Sequence, residues 1–235
     1  MIRVEPVSET SMIVYLGEQI DTSLTPQINL LARYLKQGFA ESLIEVIPSY
    51  TSLFIQYHPR LITYQVLSDA IMQFASMLDS KKRKRRTREG KLITLPVYYD
   101  PDVGPDLLHV AREHNLEIEQ VIASHARKTY IVCAVGFAPG FAFLASVEPE
   151  IATPRHTEPR MRIPAGSVGI ANEQTAVYPA DSPGGWQIIG NCPTPLFSPE
   201  SKPMSPFNVG DRVKFEAICR REFEDLGGSV WPHWK

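Results

Sequence analysis

Short apolar runs of two different periods alternate along the chain. Residues 2–7 (IRVEPV) and 11–16 (SMIVYL) read as strands joined by the polar turn at 8–10. Thr25-Pro26 gives a helix start, with a capping residue followed by proline at the first helical position. Ile28, Leu31, Ala32 and Leu35 then recur at helical spacing, and Gly38 is a natural stop. Residues 43–47 and 52–57 form a strand pair around Pro48-Ser49. A second helix over about 63–78 puts Val66, Leu67, Ala70, Ile71, Phe74 and Met77 on one side. Residues 91–98 (KLITLPVY) return to strand. From residue 11 the order is strand, helix, strand, strand, helix, strand. That is the split βαβ, ferredoxin-like arrangement, with both helices on one face of a sheet.

The period changes further on. Two short amphipathic helices are expected near 105–114 and 117–125. From 129 onward, β-branched and aromatic runs (TYIVCAV, GSVGIA, QTAVYP, WQIIG, RVKFEAI) alternate with Gly/Pro turns. The chain therefore reads as α+β, with residues 1–88 as an N-terminal domain and 89–235 as an all-β barrel or closed sandwich. The segment from Arg220 ends in Trp231-Pro232-His233-Trp234, and its packing is left open by the pattern.

Composition adds limits. The 235 residues are 43% hydrophobic and 21% charged, with a formal net charge of −2, which suits a globular protein with no global attraction to nucleic acid or membrane. Seven of the 24 basic residues sit in Lys81–Arg88. No aromatic residue interleaves with them, so a solvated linker is favoured over a base-stacking surface. No apolar run approaches the ~20 residues that span a bilayer. Three scattered cysteines and no leader at the start of the chain point to a reducing cytoplasm. There is no zinc-type Cys/His spacing, and no metal site is expected.

Candidate chemistry lies in the Gly/Pro-rich third quarter. Gly136, Phe137, Pro139, Gly140 and Phe141, with Phe143 beyond, make a rigid aromatic loop suited to a pocket or a partner surface. The loop lacks the lysine of a phosphate-binding loop, and the chain has no GxxxxGK[ST] or GxSxG pattern. Arg160 and Arg162 lie two apart in a strand and share a face, as an anion site needs; internal ion pairing explains them equally well. Gln174 and Gln187 could orient a small polar substrate or bond to local backbone. His125, at the end of a helix, is the best general-base candidate, though its place in the last turn also has a structural explanation. Ser182 has no base beside it in sequence and reads most simply as part of a turn.

Four stretches carry a resemblance. They are GFAPGFAFL (136–144), PRMRIPAGSVGIANEQTAVYP (159–179), SPGGWQIIGNCPTPLF (182–197) and GDRVKF (210–215). In this order they resemble the allophanate-hydrolase subunit 1 family, which includes the B-type components of 5-oxoprolinase and the kinase inhibitor KipI. The resemblance implies an N-terminal α+β domain and a C-terminal cyclophilin-like barrel. It implies a non-autonomous subunit of an ATP-dependent 5-oxoprolinase. Its implied partners are a larger, KipA-like C-type component and a LamB/YcsF-like A-type component. An inhibitor of a sensor histidine kinase and a subunit of urea or allophanate metabolism are the alternatives. ATP belongs to the complex, since this chain has no ATP motif. The candidate substrate-binding set, read from the polar residues among these motifs, is Arg160, Arg162, Gln174, Tyr178, Ser182 and Gln187. Four positions depart from the family pattern: Asn191-Cys192 replace Arg-Thr, Phe143 replaces Tyr, and Ala176 replaces Gly.

Overall fold

The computed structural model describes residues 2–80, 90–232 and 234. The basic run Lys81–Arg88 lies outside the described residues. The chain divides into two compact units, Met1–Glu89 and Gly90–Lys235.

The first unit contains β1 (Arg3–Ser8), β2 (Ser11–Tyr15), α1 (Thr25–Gly38), β3 (Leu43–Pro48), β4 (Ser52–Tyr57) and α2 (Tyr64–Ser80). Its antiparallel sheet has the order β1-β2-β4-β3. Alternation sets what is buried: Met12 and Val14 of β2 and Leu53 and Ile55 of β4 point to one face. Ile28, Leu31 and Leu35 of α1 and Leu67 and Ile71 of α2 complete that core.

The last strand of the expected split βαβ unit is not there. Residues 91–98 leave this sheet and join the other, while β1 takes the edge beside β2. Period-2 alternation specifies a strand but not the sheet it pairs with, so the sequence pattern does not tell these outcomes apart.

The second unit contains β5 (Leu92–Val97), α3 (Leu107–Glu113), α4 (Ile118–Arg127), β6 (Thr129–Val135), β7 (Ala142–Ala145), β8 (Arg160–Ile163), β9 (Ser167–Ala171), β10 (Gln174–Val177), β11 (Ser182–Gly184), β12 (Gln187–Asn191), β13 (Arg212–Ala217) and α5 (Arg220–Asp225). Seven strands follow the order β12-β9-β10-β7-β6-β13-β5, with β13 and β5 parallel and in register over six residues. A bridge nearly closes the ring. Tyr98 and Asn191 exchange two main-chain hydrogen bonds of 2.9 Å, joining the end of β5 to β12. The result is consistent with a cyclophilin-like barrel, and closure removes the unpaired edges an open sheet would expose.

Both faces of the sheet are buried. Leu95, Val132, Leu144, Ile170, Val177 and Phe215 form the main core with α3 and α4. On the other face, Phe141, Ile163, Ala176, Tyr178, Trp186 and Ile188 form a second cluster beneath the small β8–β11 sheet. The C-terminal segment packs back. Phe223 of α5 is fully buried and stacks on Tyr98 at 5.2 Å, and Trp234 donates its indole N–H to the Asp102 carbonyl.

Candidate functional site

Asp106 organises the second cluster. It opens α3 and is buried. Its main-chain N–H donates to the Ile188 carbonyl at 2.9 Å, while its Oδ2 accepts the Ile188 N–H at 2.7 Å. Arg160 adds a bidentate pair, Nη1 to Oδ2 at 2.8 Å and Nη2 to Oδ1 at 2.7 Å. His156 Nε2 lies 3.2 Å from Oδ1 without the alignment of a hydrogen bond. One carboxylate thus ties α3, β8, β12 and the 154–156 segment together, and its oxygens are fully engaged.

Arg162 is used in the same way. Its Nε donates to Asp181 Oδ2 at 2.8 Å, and its guanidinium sits 4.4 Å from the centre of the Trp231 ring. The Ala165 N–H, and after it Arg162, holds the Asp181 carboxyl below its ordinary value. The two arginines expected to face a ligand are therefore each paired with a local carboxylate. Arg162–Asp181 is an exposed pair, and such pairs contribute only about 0–1 kcal/mol.

His125 is a core residue, so the general-base role is corrected. Its side chain is 0% exposed and stacks on Phe215 at 4.6 Å. Nδ1 lies 2.7 Å from the Tyr99 hydroxyl and Nε2 2.8 Å from Thr175 Oγ1. Thr175 donates its own proton to the Gly169 carbonyl at 2.9 Å, so it must accept from Nε2–H. Tyr99 then donates to Nδ1, and the ring is neutral. Burial lowers its pKa to about 3. A base with both nitrogens bonded inside the core has no route to a substrate proton.

Other expected positions separate. Gln174 opens β10, half-buried beside Ala145 and Ala171. Tyr178 is buried, and burial pushes its phenol up to about 12. Gln187 is 3% exposed; its Nε2 donates to the Pro154 carbonyl at 2.7 Å, while its Oε1 is buried without a hydrogen-bond partner among the described residues. Ser182 Oγ is likewise buried and unpartnered.

The aromatic loop also divides. Phe141 is 2% exposed and packs edge-on against Tyr178 and Trp186 at 5.5 and 5.9 Å. It is a core anchor, not a surface one. Phe137 is 66% exposed and adopts a left-handed backbone at φ +74°, which is rare for a bulky residue. Gly140 is required at φ +83°, because a Cβ there would meet the Leu196 carbonyl at 2.6 Å. Within the loop, the Gly136 N–H donates to the Phe141 carbonyl and the Phe141 N–H to the Ala138 carbonyl. The loop has no lysine, and Pro139 has no N–H, so it lacks what a P-loop uses to hold a nucleotide phosphate. Among the described residues no group of three or more His, Cys, Asp or Glu could hold a metal ion.

Residues 2–207 match the family model described as carboxyltransferase domain, subdomain C and D. The chain belongs to this carboxyltransferase C/D family. It is 36% identical over 231 residues to the B subunit of 5-oxoprolinase from Bacillus subtilis, covering 94% of this chain and 95% of that protein. It is 34% identical to the Escherichia coli O157:H7 protein of the same name, over 91% and 96% of the two chains. Among solved structures, TTHA0988 superposes with a TM-score of 0.78 at 30% identity, over 95% of this chain but only 41% of that longer one. Kluyveromyces lactis urea carboxylase shares the fold, with a TM-score of 0.76 at 17% identity over 95% of this chain and 22% of that one.

Two departures from the family pattern have a structural reading. Asn191 is buried, closes the barrel through its main chain and donates Nδ2–H to the Ala165 carbonyl at 3.1 Å. Ala176 is fully buried, and its φ is not positive, so glycine's extra freedom is not needed there. The residues of this network that sequence reasoning missed are Asp106 and, beside it, His156. Asp106 carries a weak signal, a Gly-Pro-Asp helix start, but its partner Arg160 lies 54 positions away.

Proposed function

We propose that this chain is the B-type component of an ATP-dependent 5-oxoprolinase, acting on 5-oxo-L-proline with A-type and C-type partner proteins. The observation that carries this reading is the end-to-end likeness to 5-oxoprolinase B subunits, at 31–36% identity and over more than nine-tenths of each chain. The chemistry of a composite site agrees with it. A lactam is a poor electrophile, and phosphorylating its oxygen makes ring opening feasible. The loop that comes nearest to a phosphate cradle has no lysine, and this reading assigns nucleotide chemistry to a partner chain. The chain's own share is to bind and orient, through unspent polar groups beside the aromatic cluster and through the exposed Phe137. TTHA0988 supports a larger companion segment, because this chain accounts for only 41% of its length. The chain's three cysteines, two of them buried, suit a cytoplasmic setting.

The test is an ATP-dependent conversion of 5-oxo-L-proline to glutamate, with this chain and the purified A-type and C-type proteins combined and each omitted in turn. Turnover should require all three, and this chain alone should give none. Steady turnover by the isolated chain, surviving a contamination control, would refute the composite site. Absence of turnover by the full mixture would refute the assignment.

A further inference from the structure

We propose that Arg155 and the Oε1 atom of Gln187 form the recognition pair for a lactam bearing a carboxylate on the carbon next to its ring nitrogen. The identity of the ligand rests on the 5-oxoprolinase reading; the pair itself rests on geometry.

The guanidiniums of Arg160 and Arg162 are committed to Asp106 and Asp181. Arg155 is different. It is exposed and makes no ion pair among the described residues. Its side chain lies along Gly185, with Nε 3.6 Å and Nη2 3.8 Å from the point where a Cβ on that glycine would stand. Its charge is felt by the Tyr178 phenol in the neighbouring aromatic cluster. A guanidinium of this kind offers a planar fork to a carboxylate.

Gln187 supplies the second half. Its amide is oriented by one strong bond, Nε2–H to the Pro154 carbonyl at 2.7 Å. That bond fixes Oε1 as an acceptor, and Oε1 is buried without a hydrogen-bond partner among the described residues. An unsatisfied buried carbonyl is costly, and native proteins keep few of them. The residue after Pro154 is Arg155. Next in turn, the His156 N–H donates to the Gly185 carbonyl at 2.6 Å. The cation is therefore carried on a short strap, 154–156, that is pinned at both ends to the segment 185–187, which carries the acceptor. In 5-oxoproline the N–H and the carboxylate sit on adjacent atoms. A single ligand of that class can give its N–H to Oε1 and its carboxylate to the guanidinium.

The experiment uses the reconstituted complex with wild-type, R155A and R155K chains, reading KM and kcat for 5-oxo-L-proline together with the thermal midpoint of each chain. R155A should raise KM at least tenfold, change kcat less than threefold and leave the midpoint within about 2 °C, with R155K in between. An unchanged KM, or a joint fall of kcat and midpoint, would overturn the pair. If the wild-type complex gives no turnover, the function fails separately, and the pair is then judged by titrating the chain with 5-oxo-L-proline and with 2-pyrrolidinone, followed by tryptophan fluorescence. Saturable binding of the carboxylated lactam alone, lost in R155A, supports the pair; no saturable binding overturns it.

Discussion

Lowering the pH from 8 to 5 should destabilise the barrel unit through His125. The residue is fully buried among Tyr99, Tyr130, Thr175 and Phe215, and no charged side chain bonds to its ring. Protonation at Nδ1 would break the Tyr99 hydrogen bond and place an unpaired charge in the core. The folded pKa of about 3 lies below the ordinary 6.5. Between those values the unfolded chain binds the proton and the folded chain does not. Stability is thus fully present above pH 6.5 and falls as pH drops toward 3. At about 1.4 kcal/mol per unit, the loss from this residue is roughly 2 kcal/mol by pH 5 and about 3 kcal/mol by pH 4. Asp181, whose pKa is lowered from 3.8, loses its contribution only below that value and stays out of the pH 5–8 window. Urea unfolding followed by tryptophan fluorescence reads the right unit, because Trp186, Trp231 and Trp234 all belong to it. His125→Gln should be less stable than wild type at pH 8, and the gap should shrink by about 2 kcal/mol at pH 5. Parallel pH profiles for the two proteins would refute the buried neutral imidazole.

Further outcomes follow from the second cluster. Phe141→Ala should cost about 3–5 kcal/mol of stability in urea unfolding, whereas Phe137→Ala should cost under about 0.5 kcal/mol and weaken association with the C-type partner. Equal stability losses for the two would contradict their assigned places. Asp106→Ala strands the Arg160 guanidinium and the Ile188 N–H together and should lose about 3–5 kcal/mol, while Asp181→Ala should lose less than about 1 kcal/mol. Matching losses for these two variants would show that burial does not separate the two ion pairs.

Much of this fold is legible in the sequence for a local reason. Thr25-Pro26 starts α1, Gly38 ends it, and the Gly/Pro turns after residue 129 separate strands whose side chains alternate. The illegible part is long-range. Residues 91–98 look the same whether they complete the first sheet or close the barrel, and closure depends on Tyr98 meeting Asn191 far along the chain. The rigidity of the 136–141 loop can be read from its glycines and proline. Which phenylalanine faces inward cannot, since both flank the same Pro-Gly pair. Arg160 and Arg162 are charges on one strand, as their spacing implies, but the carboxylates that neutralise them come from α3 and from the turn before β11.

The arginines bear on the proposal of a shared active site. A self-sufficient site needs reacting groups with unspent hydrogen-bonding capacity pointed at one place. Here Asp106, Arg160, Arg162 and His125 spend theirs on holding the barrel together. Around the aromatic cluster, the unspent groups include the Arg155 guanidinium, the buried Gln187 amide oxygen, the buried Ser182 hydroxyl and His156 Nε2. Those groups can grip and orient a small polar molecule, but none is a nucleophile paired with a base. On the proposed composite site, this rigid barrel contributes a binding edge and an exposed aromatic loop, and a partner chain contributes the groups that break bonds.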